Sequence, residues 1–218
     1  MTALVRYVLA VTLHSQRYLA PVLAFLAVVS VLTTNDNGPL QPVYVSSAGA
    51  MLLCTTWLAI AVIGAESPAE RAIITVAAGR SMRVLLASIA TVWLGCVVLA
   101  VVGLVLPLCL GSHPVAGADL LVGMEAQLAC AAIGTAVGVL CSRLVIRRQG
   151  YGLIAALSLL LAVVLVPVLS PVHALFRLMS STSDAAELIA PVGGLLAVGV
   201  VSLAASSVAA QFIADRRA

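Results

Sequence analysis

The sequence predicts an all-α, polytopic membrane protein. We expect six transmembrane helices with both termini inside, an N-terminal interfacial helix, and a short cytoplasmic helix between the second and third spans. Hydrophobic residues make up 63% of the 218 residues and charged residues only 9%, so no soluble domain of this length could hide its apolar surface. Ten of the eleven basic residues, all arginines, fall into four patches at every second gap between apolar segments.

The apolar segments are long enough for helices that cross a hydrocarbon core of roughly 30 Å. They run over residues 18–34, 45–64, 84–106, 118–141, 151–170 and 189–212. The four patches are Arg6 with Arg17; Arg71, Arg80 and Arg83; Arg143, Arg147 and Arg148; and Arg216 with Arg217. Because short arginine-rich loops stay in the cytoplasm, this pattern predicts both termini inside, while the other connections carry only Arg177.

Residues 2–17 read as a moderately amphipathic helix lying flat at the cytoplasmic interface, because their polar residues gather on one side at a spacing of 3.6. An elongated first transmembrane helix is the alternative. Residues 35–39, with the sequence Asn-Asp-Asn-Gly-Pro, predict an outside turn. The longest outside connection, residues 171–188, is polar enough for an ordinary loop and also compatible with a short interfacial helix.

Residues 68–78 predict a separate helix of about 11 residues, roughly 16 Å long and far too short to span. Ser67 is the N-cap candidate, Pro68 suits the first helical position, and Glu70 completes a capping box. Gly79 supplies the C-terminal stop. A loop between adjacent membrane helices needs only a few residues, so this helix is either a docking element for a cytoplasmic protein or an interfacial helix resting on headgroups.

Glu125 lies in the early, outer part of the fourth apolar segment. A carboxylate at membrane depth is costly unless it is paired, protonated or in contact with water, so Glu125 is a candidate for the substrate pathway or for proton relay. The alternative is a position near the outer headgroups, since only about 9 Å of helix rise separates it from Asp119. Gly134 and Gly138 form a GxxxG in the same segment, where another helix backbone can approach closely.

Several kinds of chemistry are excluded by what the sequence lacks. There is no lysine, so the chain has no P-loop, and no cofactor is expected in this chain. The five cysteines have no CxxC or Cys/His ligand spacing, and HExxH and GxSxG motifs are absent, so a metal site or catalytic site is not expected. The arginines form no continuous basic face, which argues against nucleic acid as a partner. We expect residues 1–218 to form one transmembrane domain.

This arrangement of crossings, interfacial helix and capped helix resembles the permease, or transmembrane subunit, of ABC-2 type ABC transporters. Residues 17–21, 66–71 and 78–81 look like the small permeases of actinobacteria. Abundant alanine, valine, leucine and arginine without lysine also fit a GC-rich bacterial genome. The expected location is therefore the bacterial cytoplasmic (inner) membrane.

The resemblance implies that residues 68–78 are the coupling helix, seated in a separate nucleotide-binding ATPase that holds the ATP and Mg²⁺. It also implies a second permease copy, identical or related. The residues that would dock the ATPase are Glu66, Ser67, Pro68, Glu70, Arg71, Arg80 and Arg83. Short outer loops favour an exporter of a small hydrophobic or amphiphilic compound or a peptide over a mechanotransmission role.

Two other functions remain open at the level of sequence. A proton-coupled secondary multidrug transporter would use Glu125 to exchange protons for a hydrophobic cation, although no inverted repeat or pair of broken helices supports it. A membrane scaffold or immunity protein would bind a partner without transporting anything.

Overall fold

The computed structural model describes residues 1–34, 40–66, 68–110, 117–146, 149–166, 170–181 and 185–216. The regular structure in these ranges is helical. The helices, in chain order, are α1 (Thr2–Ser15), α2 (Leu19–Thr33), α3 (Leu40–Ile63), α4 (Pro68–Ala78), α5 (Ser81–Leu110), α6 (Gly117–Leu140), α7 (Gln149–Leu165), α8 (Pro171–Ser181) and α9 (Ala185–Asp215).

Four of these helices, α3, α5, α6 and α9, are long and apolar enough to cross a membrane. The pair α1 and α2 passes the same test only as one unit, bent by 74° at the break between them, which would make a fifth span. The chain therefore has the multiple apolar helices of a multi-pass membrane protein. Two helices are shorter than the spans predicted there. Helix α2, at the predicted first span, has 15 residues, and α7, at the predicted fifth span, has 17.

The bend between α1 and α2 is made by Gln16, which has a left-handed backbone conformation with a φ of 55°. This residue ends α1, and the chain leaves in a new direction to start α2. The structure therefore has a separate N-terminal helix at residues 2–15, as the amphipathic pattern indicates, and not one elongated helix. The break between α1 and α2 is short, because the Leu19 N–H already donates to the Gln16 carbonyl oxygen.

Helix α6 forms the centre of the bundle, with α3 on one side and α9 on the other. Gly134 and Gly138 lie against α3: a Cβ added at Gly138 would lie 2.6 Å from the Cβ of Ala59. Gly199 of α9 approaches the opposite face of α6, where a Cβ would lie 3.2 Å from the Ala129 carbonyl oxygen. The GxxxG surface is thus occupied by a helix of the same chain.

Helices α3, α6 and α9 run in the same direction. Ser47 and Thr56 of α3 contact Gln127 and Gly134 of α6 in the same order along both helices. The α6 residues Glu125 and Ala132 similarly meet Gly193 and Gly199 of α9. Helix α5 runs the opposite way, because its later residue Gly103 meets the early Gln127, whereas its earlier residue Cys96 meets the later Thr135.

Every second connection between the long helices lies at the same end of the bundle. The Arg17 guanidinium donates to the Gly64 carbonyl oxygen at 2.9 Å, which joins the start of α2 to the end of α3. Arg143, just after α6, packs on the same glycine, and Gln211 near the end of α9 donates to Ser81 at the start of α5. We call this the arginine end. The far end of the bundle holds the start of α3, the end of α5 and the start of α6.

Helix α8 shows how the 171–188 connection is built. It has Val172, Leu175 and Met179 buried against the far-end half of the bundle, with Phe176 lying over Gly49 of α3. Their spacing of three and four residues is that of one helix face. This connection therefore contains the short helix that the sequence left open as an alternative to an ordinary loop, and that helix packs on the bundle.

Candidate functional site

Helix α4 is the one short helix that the capping pattern predicted, and it lies between α3 and α5. It begins at Pro68 and ends at Ala78. Gly79 follows with a φ of +74°, a left-handed conformation that costs glycine nothing. The Arg83 guanidinium donates to the Ala78 carbonyl oxygen at 3.1 Å, so a positive charge satisfies one of the last carbonyls of the helix. The C-terminal end of α4 is thereby separated from α5.

The base of α4 is joined to the end of α3 by an ion pair between Glu66 and Arg71. Arg71 Nη1 lies 3.9 Å from Glu66 Oε2, and the two side chains are 17% and 3% exposed. Neither carboxylate oxygen of Glu66 nor Nη1 of Arg71 has a hydrogen-bond partner among the described residues. The two groups attract each other as charges but are not held in one geometry, so α4 has an anchor that allows movement.

Burial dominates the titration of both members of this pair. Burial raises the pKa of the Glu66 carboxyl above its ordinary value, Arg71 opposes that rise, and Glu70 adds to it. Burial likewise lowers the pKa of Arg71, and Glu66 opposes that fall. Each charge is therefore held ionised mainly by the presence of the other.

The outward face of α4 is apolar where a solvated helix would be polar. Ile73 is 71% exposed and Val76 is 83% exposed. Glu70, in the first turn of α4, and Arg80, just after its end, are also exposed, so an acid precedes and a base follows the two aliphatic side chains along the chain. Exposed aliphatic groups of this kind, flanked by charge, are typical of a surface that a partner or the membrane covers.

An open groove of about 440 Å³ lies between α4 and α1 beside Arg83. Its lining is Met1, Ala3, Leu4 and Tyr7 from α1, and Ile73, Ile74, Ala77 and Ala78 from α4. The exposed Ile73 therefore lies at the edge of a groove shared with the N-terminal helix, an arrangement that the sequence did not indicate.

The predicted docking residues do not form a single cluster. Glu66 and Arg71 meet at the buried base of α4, Glu70 and Arg80 are exposed, and Arg83 caps the helix from α5. Ser67 lies outside the described residues, and Pro68 starts α4 without a described side chain. The structure thus separates anchoring residues from residues that an external partner can reach.

Glu125 lies on α6 at its seam with α9. A Cβ built on Gly193 would lie 3.8 Å from Glu125 Oε1, and Oε2 is buried with no hydrogen bond to a described residue. It is eight residues beyond Gly117, roughly 12 Å along the helix axis. The side chain is half-buried, so the carboxylate lies between helices and not simply at the helix terminus.

The sequence interpretation missed a polar contact on the opposite side of α6. Gln127 Nε2 donates to Ser47 Oγ at 3.2 Å, and both residues are fully enclosed. The amide also lies against Gly103 of α5, where a Cβ would be 2.7 Å from Oε1. The available signal was the amide itself, a polar side chain two residues after Glu125 inside an apolar segment.

An apolar cleft of about 480 Å³ opens between α6, α7 and α9. Ile133 and Val137, Val163, and Ser206 represent the three helices in its lining. The Ser206 hydroxyl is already satisfied by the Leu203 carbonyl oxygen, so the cleft presents hydrocarbon and no free polar group from this serine.

Within the described ranges no group of three or more histidine, cysteine, aspartate or glutamate side chains is arranged to hold a metal ion. The five cysteines are unpaired thiols. Comparison of this chain with protein-family models, with curated proteins and with solved structures finds no match.

Proposed function

We propose that this chain is the membrane-spanning permease of an ATP-driven transporter of the ABC-2 type, with ATP and Mg²⁺ bound by a separate ATPase subunit. The observation that carries the proposal is α4: a separately capped, 11-residue helix with exposed aliphatic side chains at the arginine end. Such a helix cannot cross a bilayer, and a simple connection between α3 and α5 would not need it.

The contacts of α4 fit a helix that transmits a displacement. The Glu66–Arg71 ion pair links its first turns to α3, and the Arg83 guanidinium links its last turn to α5. A force on Ile73 and Val76 would therefore act on two long helices at once. A partner that binds this face would bury aliphatic side chains that are now exposed, with Glu70 and Arg80 at its edge.

The directions of the helices support six crossings with both termini in the cytoplasm. Helices α3, α6 and α9 run one way, α5 runs the other way, and α2 starts where α3 ends. In this proposal α2 and α7 are the first and fifth spans, α8 completes the path of α7 toward the far end, and the arginine end is cytoplasmic. Two such permeases, identical or related, would work with two ATPases.

The expected direction of transport is export, and the expected cargo is a small hydrophobic or amphiphilic compound or a peptide. The cleft between α6, α7 and α9 has an apolar lining suited to such a compound. No residue of this chain would take part in hydrolysis, since the absence of lysine excludes a P-loop. The chain would be the transport subunit of a bacterial cytoplasmic-membrane complex.

The test is copurification in mild detergent followed by ATPase measurement in nanodiscs. We expect a cytoplasmic ATPase to copurify with the wild-type chain, and Ile73→Ser/Val76→Ser to reduce its recovery at least tenfold. The matched control is Leu153→Ser/Leu157→Ser on the exposed face of α7, which should retain the ATPase. Equal recovery with the α4 variant, or no ATPase with the wild type, would refute the docking role.

The second candidate function is a proton-coupled secondary transporter, and the Glu125 carboxylate is the observation that favours it. Its Oε2 atom is buried without a hydrogen bond to the described residues, at the α6–α9 seam. A carboxylate in that setting is neutralised by a proton or by a cation, which is what an exchanger needs.

The two candidates are separated by the energy source. Proteoliposomes containing the chain alone, with an imposed proton gradient and a hydrophobic fluorescent cation, should show no uptake if the ATPase drives transport. Uptake that follows the gradient and disappears in Glu125→Gln, with the variant still folded, would favour the exchanger.

A further inference from the structure

Two large apolar side chains are exposed on one side of α3. Leu53 and Trp57 are 52% and 46% exposed, whereas their helical neighbours on both sides are buried. At 100° per residue, positions 46, 53, 57 and 64 fall within about 40° of one another around the helix. Gly64 therefore lies on the same side of α3, about two turns beyond Trp57, and is itself buried.

Two arginines from different elements converge on that glycine. The Arg17 guanidinium, from the turn before α2, donates to the Gly64 carbonyl oxygen at 2.9 Å. The Arg143 side chain, from the turn after α6, passes Gly64 with its Cδ 3.6 Å from the position of an added Cβ. Both arginines are exposed, and Arg143 makes no hydrogen bond or ion pair to any described residue.

Other helices pack on the two sides of α3 next to these exposed residues. On one side, Leu58 lies against Gly95 of α5, and Cys54 and Leu58 share a hydrophobic cluster with Phe25 of α2. On the other side, Thr56 and Ala59 meet Gly134 and Gly138 of α6. The side of α3 that carries Leu53 and Trp57 thus also carries, about 10 Å beyond Trp57, the glycine that both arginine side chains contact.

We propose that this surface binds one anionic phospholipid, with its phosphate held by Arg17 and Arg143 and an acyl chain along Trp57 and Leu53. Guanidinium groups bind phosphate oxygens through paired N–H donors, and basic positions between helices at the cytoplasmic side suit acidic headgroups. Glu66, two residues after Gly64, is paired with Arg71, and among the described residues neither Arg17 nor Arg143 forms an ion pair. The site is independent of the transport proposal.

A lipid bound at this site would also connect helices to one another. Gly64 lies two residues before Glu66, the first member of the ion pair at the base of α4, and Arg17 donates to its carbonyl oxygen. A phosphate bridging Arg17 and Arg143 would join the start of α2 to the ends of α3 and α6 at the base of α4. The lipid would act as a fixed part of this junction.

The test is native mass spectrometry of the full chain after exchange from mixed phosphatidylglycerol and phosphatidylcholine with matched acyl chains. We expect the wild type to retain one phosphatidylglycerol preferentially. Each of Arg17→Gln and Arg143→Gln should lower that preference about fivefold, and the double variant about thirtyfold, because each arginine near an acidic headgroup contributes about that factor. Arg177→Gln, an exposed arginine on α8, should change nothing.

Several outcomes would overturn the site. One is unchanged phosphatidylglycerol retention in the double variant; another is an equal loss in Arg177→Gln. Displacement of the lipid by inorganic phosphate would indicate a small-anion site instead. Cross-linking between two copies of Trp57→Cys, in a Cys109→Ser background, would show that a second copy covers this side of α3. If the double variant fails to fold, as judged by melting in lipid-free detergent, the two single variants decide the result.

Discussion

The Thr56 hydroxyl donates a hydrogen bond to the carbonyl oxygen of Gly134, with 3.0 Å between the two oxygens. This bond joins α3 to α6 at the point where their backbones come closest. It is possible only because residue 134 has no side chain: a Cβ there would lie 2.6 Å from the Leu52 carbonyl oxygen. The contact between α3 and α6 therefore requires a residue without a side chain at position 134.

Replacement of Gly134 by alanine should destabilise the protein by about 1–3 kcal/mol, because the added methyl group meets backbone that cannot move aside. The measurement is the thermal unfolding midpoint in detergent. Gly194→Ala is the matched control, since an added Cβ at Gly194 meets nothing within 4 Å. A wild-type midpoint for Gly134→Ala would mean that α3 and α6 are not in contact here.

Gly103→Ala should also lower stability, and for a different reason. Its Cβ would lie 2.7 Å from Gln127 Oε1 and 3.0 Å from Phe25 Cζ, so the clash is partly with one amide side chain. Shortening that side chain in a Gly103→Ala/Gln127→Ala double variant should recover part of the lost stability. Purely additive losses in the double-mutant cycle would contradict the contact.

The Glu66 carboxyl should make stability depend on pH. Burial raises the folded-state pKa of Glu66 above its ordinary value of 4.5. The stabilising contribution of a group with a raised pKa is complete below 4.5 and declines as pH rises through the folded value. The stability of the wild type relative to Glu66→Gln should therefore fall as pH rises from about 4 upward.

Arg71 should set where that fall occurs. It lowers the pKa of Glu66, so Arg71→Gln should move the fall to higher pH. The same variant should be destabilised at neutral pH by about 3 kcal/mol, because a buried charge loses its partner. Unfolding curves of the single and double variants at several pH values measure both effects. An identical pH dependence with and without Arg71 would show that the two groups do not interact.

Gly79→Ala should cost about 1 kcal/mol, since the left-handed backbone at this position strains any residue with a Cβ. No atom lies within 4 Å of the added Cβ, so backbone strain is the sole expected cause. Hydrogen exchange of the last turn of α4 is the direct measurement. Gly117→Ala, equally open but with no positive φ, should leave exchange and stability unchanged, and equal effects would contradict the assignment.

Local signals in the sequence were sufficient for α4 and for the all-helical class. A capping residue, a proline and a glycine act within a few residues of themselves, so the helix at Pro68–Ala78 coincides with the segment they indicate. The apolar segments likewise each overlap one helix. The number of membrane crossings was harder to predict from the sequence, because the lengths of α2 and α7 depend on where neighbouring helices allow the chain to turn.

Contacts between distant residues could not be read from the sequence. Arg17 and Gly64 are 47 residues apart, and no local pattern links an arginine to that carbonyl oxygen. The Glu125 environment is of the same kind, since Gly193 comes from a helix far along the chain. Helix α8 is different: the sequence allowed a short helix in this connection but did not decide between that helix and an ordinary loop.

The close approach of α6 to both α3 and α9 has a mechanical consequence. Where glycine replaces a side chain, two backbones touch without the soft layer of rotatable groups that usually separates helices. The three helices therefore form a stiff plate, and any rearrangement of the bundle must bend or slide its outer members around it. A displacement applied to α3 should therefore be passed through α6 to α9.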